Sequence, residues 1–120
     1  MEQHPVLADC YRALGRHGRV EELWAELGSA SPSAELVTEG RIVMAGSLAD
    51  RGELPAAISL LSKGFKLPAR HGEHHLRRAY ALADLYERAG DIPQARQIFE
   101  RIEALSPDYL DVAERIGSLG

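Results

Sequence analysis

Between Arg78 and Pro107 the apolar and small residues fall into two stripes separated by a single break. Ala79, Leu82, Ala83 and Tyr86 recur at three- and four-residue intervals, which places them on one face of a helix. Gly90-Asp91 interrupts the pattern, and a second stripe runs through Ile92, Ala95, Ile98, Phe99 and Ile102. Neither helix can bury its stripe alone, so the two must close as an antiparallel hairpin and stack on neighbours. Aligned on the turn glycine, GRVEELWAEL (18–27), GELPAAISLL (52–61) and GDIPQARQIF (90–99) superpose without gaps, at offsets of 34 and 38 residues. Each copy has an aliphatic residue two places after the glycine (Val20, Leu54, Ile92), then Leu23, Ala57 or Ala95, then Leu27, Leu61 or Phe99. Glycines at that phase suit the end of a helix, where a left-handed backbone angle is cheap only for glycine.

The same periodicity extends along the chain. A first helix is expected over about 5–16, with Leu7, Cys10, Tyr11 and Leu14 inward, and its partner over about 19–29, with Val20, Leu23, Trp24 and Leu27 inward. Trp24, by its phase, belongs in the core between hairpins. Ser31-Pro32-Ser33 starts a long helix reaching Asp50, on which Arg41 holds a core-facing position with a long aliphatic stem. The returning helix, 53–66, buries Leu54, Ala57, Ile58, Leu61 and Phe65, and Pro55 and Pro93 fall in first turns, where a missing N–H does little harm. Residues 67–73 hold the insertion that lengthens the second offset. The central hairpin follows, over 73–89 and 91–105, and then a last helix, 109–118, presenting Val112, Ala113, Ile116 and Leu119. Asp111, Glu114 and Arg115 on its other side give it the character of a solvating cap.

The spacing Ala79-x2-Leu82-Ala83-x2-Tyr86, then Ala95-x3-Phe99, then Pro107, resembles the 34-residue tetratricopeptide repeat. In that register Ala83 and Ala95 let the helix backbones approach, and Tyr86 and Phe99 fill the space to the next hairpin. Pro107 opens the following helix, with Ser106 as N-cap. Ala79 stands where the family often has tryptophan. The resemblance implies an all-α fold, an α-solenoid of about three hairpins with a C-terminal capping helix, seven helices in all. It implies one domain over 1–120, with repeats at about 4–37, 38–75 and 76–109 and the cap at 110–120. It also implies a concave groove lined by the first helices of successive repeats, here by Arg12, Arg16, Glu39, Ile42, Gly46, Arg77, Tyr80, Asp84 and Glu87. Ile42 and Tyr80 are its apolar anchor points. Members that grip the chaperone C-terminal carboxylate use lysines and asparagines; the corresponding Ala8, Arg12, Val43, Tyr80 and Asp84 offer one suitable charge, which argues against that ligand.

Composition narrows the function classes. The 120 residues are 45% hydrophobic, enough for a core, and only 6% aromatic, as close packing through Ala and Leu requires. A net charge of −4 argues against nucleic acid. The lone Cys10 excludes a disulfide framework and fits a reducing cytoplasm. No apolar run is long enough to span a bilayer, and the N-terminal MEQHPV lacks the features of a signal peptide. The Ala/Arg/Gly-rich, lysine-poor composition suggests a high-GC bacterial source.

Candidate chemistry is confined to RHGEHHLRR, where His71, His74 and His75 surround Glu73. His71 and His75 have the spacing of helical metal ligands, but no further ligands are placed by the sequence, and Gly72 interrupts the helix. A polar loop leading into a helix accounts for the cluster, and no metal or cofactor is expected. The basic run Arg70 to Arg78 lacks the interleaved exposed aromatics that RNA binding needs. No nucleophile–base spacing, phosphate loop or carboxylate pair appears. The expectation is a non-catalytic protein–protein interaction scaffold that takes a peptide or partner segment in its groove. The alternatives are a structural oligomerisation domain and a metal-binding domain using the histidines. The outer face of the first hairpin (Val6, Leu7, Tyr11, Leu14, Trp24) is expected to be covered by earlier repeats of a longer protein or by a two-fold homodimer.

Overall fold

The computed structural model describes residues 17–29 and 33–119. Among them are six helices and no strand: α1 (His17–Ser29), α2 (Ala34–Asp50), α3 (Leu54–Ser62), α4 (Glu73–Arg88), α5 (Ile92–Leu105) and α6 (Val112–Ser118). The expected helix over 5–16, with Cys10, lies outside the described residues. The chain divides into two compact units, Met1–Leu61 and Ser62–Gly120.

In the first unit α1 packs against α2 through Val20, Leu23 and Val43, all buried, with Met44 beside them. Ser33 caps α2 by accepting a hydrogen bond from the Leu36 amide, 3.2 Å. Arg41 has the expected amphipathic placement: its guanidinium lies 5.5 Å over the Trp24 ring and donates to the Leu60 carbonyl, 3.0 Å. Trp24 is therefore half-buried beneath a cation rather than fully enclosed. Arg51 closes the end of α2 with a 2.8 Å bridge back to Glu21.

The turn glycines do not behave alike. Gly52 and Gly90 have φ of 79° and 84°, and the residue after each donates to the carbonyl five places before it, Glu53 to Leu48 and Asp91 to Tyr86. This is the same left-handed helix stop built twice. Gly18, expected to make a third, lies inside the first turn of α1, which begins at His17. A different glycine corrects the expected length of α3. Gly64 has φ of 66°, so the helix ends at Ser62 instead of continuing to residue 66, and Phe65 leaves the helix.

In the second unit α4 packs on α5, and α5 on α6. Ala79, Ala83, Ala95, Phe99, Ile102 and Val112 are all fully enclosed. Asp91 caps α5 and Pro93 stands in its first turn, as the sequence implies. Phe65 and Leu67, from the connection after α3, pack on the same core. The connection is held by arginine donors: Arg78 to the Lys63 carbonyl, 2.6 Å, and Arg101 to the Leu67 carbonyl, 3.3 Å. The last helix starts three residues later than its pattern predicts. Ser106-Pro107 does not open it; instead a turn runs to Asp111, with Leu110 at φ 45°. A left-handed leucine costs about 1–2 kcal/mol. The shift buries Val112 and leaves Ala113 exposed, against its expected inward placement.

Phe99 is completely buried in one cluster with Ala79, Ala83, Ala95, Ile102 and Val112. Phe99→Ala should cost about 3–5 kcal/mol in urea unfolding, and a loss near zero would show that the hairpin is not packed through this ring.

Candidate functional site

Of the positions assigned to a groove, Arg12 and Arg16 lie outside the described residues. Glu39 and Ile42 are half-buried on α2 in the first unit. Arg77, Tyr80, Asp84 and Glu87 lie on α4 in the second, Arg77 exposed and the other three half-buried. The positions are in register: Glu39 and Arg77, Ile42 and Tyr80, Gly46 and Asp84 are each separated by the 38 residues that also separate Gly52 from Gly90.

Tyr80, Asp84 and Glu87 converge on one residue that the sequence pattern assigned to the solvent side of the last helix. Arg115 is only 20% exposed. One terminal nitrogen donates to Asp84 Oδ1 at 2.8 Å and to Glu87 Oε1 at 3.0 Å. Its Nε donates to Glu87 at 3.2 Å, and its second terminal nitrogen to the Tyr80 hydroxyl at 3.0 Å. The guanidinium plane lies 5.0 Å from the Phe99 ring centre and 5.6 Å from that of Tyr80. A planar five-donor fork is the group that can serve two carboxylates, a hydroxyl and two ring faces together. Burial works against its charge, yet its hydrogen bonds to Asp84 and Glu87 and the Glu87 charge outweigh it, and the Arg115 pKa is raised above its ordinary value.

Tyr80 passes the network on. Its hydroxyl donates to Asp111 Oδ1, and its ring meets Phe99 and Tyr109 edge-on, at 5.7 and 6.3 Å. Tyr109 donates to Glu73 at the start of α4, 3.1 Å. Burial, and then the hydrogen bond to Asp111, raise the Tyr80 pKa. Only the spacing of Asp84, Glu87 and Tyr80 along α4 was visible in sequence; their common cation lies 28 to 35 residues away.

The histidines are used otherwise. α4 starts at Glu73, so His71 precedes the helix and cannot share a helical face with His75. His71 Nδ1 is paired with the Ala69 carbonyl at 3.0 Å, and His75 Nδ1 accepts the Gly72 amide at 2.9 Å, capping α4 from its third residue. Among the described residues no three His, Cys, Asp or Glu side chains converge as a metal-ligand set. None of the described helices is long and apolar enough to cross a membrane.

A separate cavity of about 660 Å³ lies wholly in the second unit. Its apolar floor is Phe65, Leu67, Leu82, Tyr86 and Ile98, and its rim carries Lys66, Arg101, Gln94, Gln97 and Glu100. Sequence periodicity could not show it, because the apolar phase puts Phe65 on a helix that in fact ends at Ser62, and Leu67 lies in the insertion beyond it.

Removing the Arg115 fork leaves two carboxylates facing each other. Arg115→Met should lower stability by about 1–3 kcal/mol, and Arg115→Lys should recover only part, since an ammonium cannot reproduce the fork. Equal stability of all three proteins in urea would remove Arg115 from any structural role. For Tyr80 the sign follows from a raised folded-state pKa: its contribution is complete below the ordinary tyrosine value of about 10 and disappears as pH rises through the higher folded value. The wild type should therefore lose more stability than Tyr80→Phe between about pH 9 and 11, as followed by thermal melts. Parallel curves would show that this hydroxyl does not titrate with folding.

Residues 76–119, which take in α4 from Leu76 onward, α5 and α6, match the tetratricopeptide repeat family. No curated protein matches the chain. Among solved structures, a Podosopora anserina protein assigned as a kinesin light chain, with nearly identical TPR-like repeats, is 17% identical, with a TM-score of 0.78 over 98% of this chain and 64% of its own. A single-substitution variant of that protein superposes at 0.77, with 17% identity, over 98% of this chain and 63% of its own. The chain thus spans under two thirds of the length of the structures it resembles. At that identity the likeness establishes the helical-repeat fold, and the sequence match establishes the repeat itself. Residues 76–119 thus carry a match to the tetratricopeptide repeat, set in a chain with the helical-repeat fold of the structures it resembles.

Proposed function

We propose that the chain is a protein–protein interaction module that holds a peptide or partner-protein segment along the first helices of its repeats and performs no chemistry of its own. Tetratricopeptide repeats in general mediate protein–protein interactions. The observation that carries the reading for this chain is the register of α2 and α4. Glu39 and Ile42 recur as Arg77 and Tyr80 at the 38-residue sequence offset, so each of the two helices carries a charged and an apolar position at the same phase. A peptide read at such positions meets separate anchor points, each worth little alone.

The Arg115 network divides the labour within the second unit. Asp84 and Glu87 spend their charge on Arg115, and the Tyr80 hydroxyl is committed to Asp111, so these residues shape the surface more than they offer it free charge. Arg77, exposed at the start of the row, is the cation a partner carboxylate would meet, and Ile42 is the apolar contact in the repeat before it. The repeat resemblance assigns Arg12 and Arg16 to the same row, and both lie outside the described residues.

The test is selection of binding peptides from a random library, followed by fluorescence anisotropy of the selected sequences. Arg77→Glu and Ile42→Ala should each weaken binding at least about tenfold, the loss expected for a central anchor of about 1.4 kcal/mol, with the helical fold retained. Undiminished binding by both variants would place the partner surface elsewhere.

A further inference from the structure

Leu110 is 68% exposed, the one large hydrophobic side chain standing in solvent among the described residues. It is also the one non-glycine residue among them with a positive φ, 45°. Both features run against folding: the backbone is strained and the side chain gains no burial. The turn that raises it, Pro107 to Asp111, carries exposed Asp108 and Asp111 on either side of it.

The cavity of the same unit is the complement of that knob. Its floor is aliphatic and aromatic, and its rim bears two cations, Lys66 and Arg101, against one anion, Glu100, with Gln94 and Gln97 as neutral donors and acceptors. No residue beyond Arg101 lines it, so the Leu110 turn is not part of its own cavity. At about 660 Å³ it admits the tip of a turn rather than one side chain alone.

We propose that the Pro107–Asp111 turn of one molecule docks into the Phe65–Tyr86–Ile98 cavity of a second copy of this chain. Leu110 sits on the apolar floor, and Asp108 and Asp111 meet Lys66 and Arg101. Knob and hole are different surfaces, so the contact is heterologous and the copies add head to tail instead of closing as a two-fold pair. Glu100 opposes part of the attraction, which makes the association salt-sensitive and modest in strength. The surface is independent of the groove reading and stands or falls separately from it.

The experiment is sedimentation velocity over a concentration series at low and high salt. The wild type should show a mean mass that rises with concentration and falls back with salt. Leu110→Gly removes the knob and suits the left-handed backbone, so it should keep or improve its melting temperature while self-association weakens at least tenfold. Gln97→Trp, on an exposed position of α5, fills the cavity mouth and should have the same effect on association. Mixed together, the two variants retain one knob-bearing and one cavity-bearing surface and should form a dimer that grows no further. A wild type monomeric throughout, a Leu110→Gly protein that assembles like the wild type, or a mixture that forms no dimer would each overturn the proposal; the second would also mark a symmetric pairing through another face.

Discussion

The close approach of α4 and α5 is the constraint on which the second unit depends. Ala79 and Ala83 on one helix and Ala95 on the other are fully enclosed, and the space that they leave is taken by Phe99. The ring then has a fixed position, with Tyr80 against it at 5.7 Å and the Arg115 guanidinium at 5.0 Å. A larger residue at Ala83 or Ala95 would push the backbones apart and release the ring, and with it the platform on which the arginine lies. Small residues in the middle of the hairpin therefore control a polar network at its edge.

That network explains why α6 exists. Seven residues form too short a helix to be stable alone, where about 12–15 are marginal even for good helix formers. Val112 fixes it in the core, and Arg115, three residues on along the same face, ties it to Asp84, Glu87 and Tyr80. The protein carries a net charge of −4, so a cation at this point also relieves two carboxylates one helical turn apart. The terminal helix is accordingly both a lid on the apolar core and a counter-charge for the acidic face of α4.

The α4–α5 hairpin was legible in sequence because both helices bury a single stripe and both ends are marked, by Gly90 on one side and by Asp91 with Pro93 on the other. The stop at Gly52 was legible for the same reason. Gly18 misled because a glycine's conformational freedom allows a left-handed turn without requiring it, and here the helix simply runs through. Gly64 was the opposite case: the apolar phase carries on to Phe65, so periodicity prolonged α3, although the half-buried ring packs on the core from a connection and not from a helix. Leu110 defeats propensity altogether, since no leucine signals a positive φ. Arg115 escaped because a charged residue on the polar side of a terminal helix looks solvated until its partners, which lie about thirty positions earlier, are placed beside it. The family register placed Tyr80, Asp84 and Glu87 on one helix, but pairwise chemistry across elements is outside what a repeat pattern encodes.

The irregularity in the repeat is also structural material. The offset of 34 residues between the first two copies grows to 38 between the second and third, and the added chain runs between α3 and α4. A loose connection there would cost entropy for no gain. Instead it is tied down at two carbonyls, Lys63 by Arg78 and Leu67 by Arg101, with the Arg78 guanidinium also lying 5.8 Å over the Phe65 ring. Donors on α4 and on α5 thus hold the same segment, and Phe65 and Leu67 are pressed onto the hairpin core. The segment then forms one wall of the cavity whose other walls are Tyr86 and Ile98. A helix continuing through Phe65 would have left those two side chains without this wall. The departure from the regular repeat length is therefore what converts a plain helical face into a bounded apolar site.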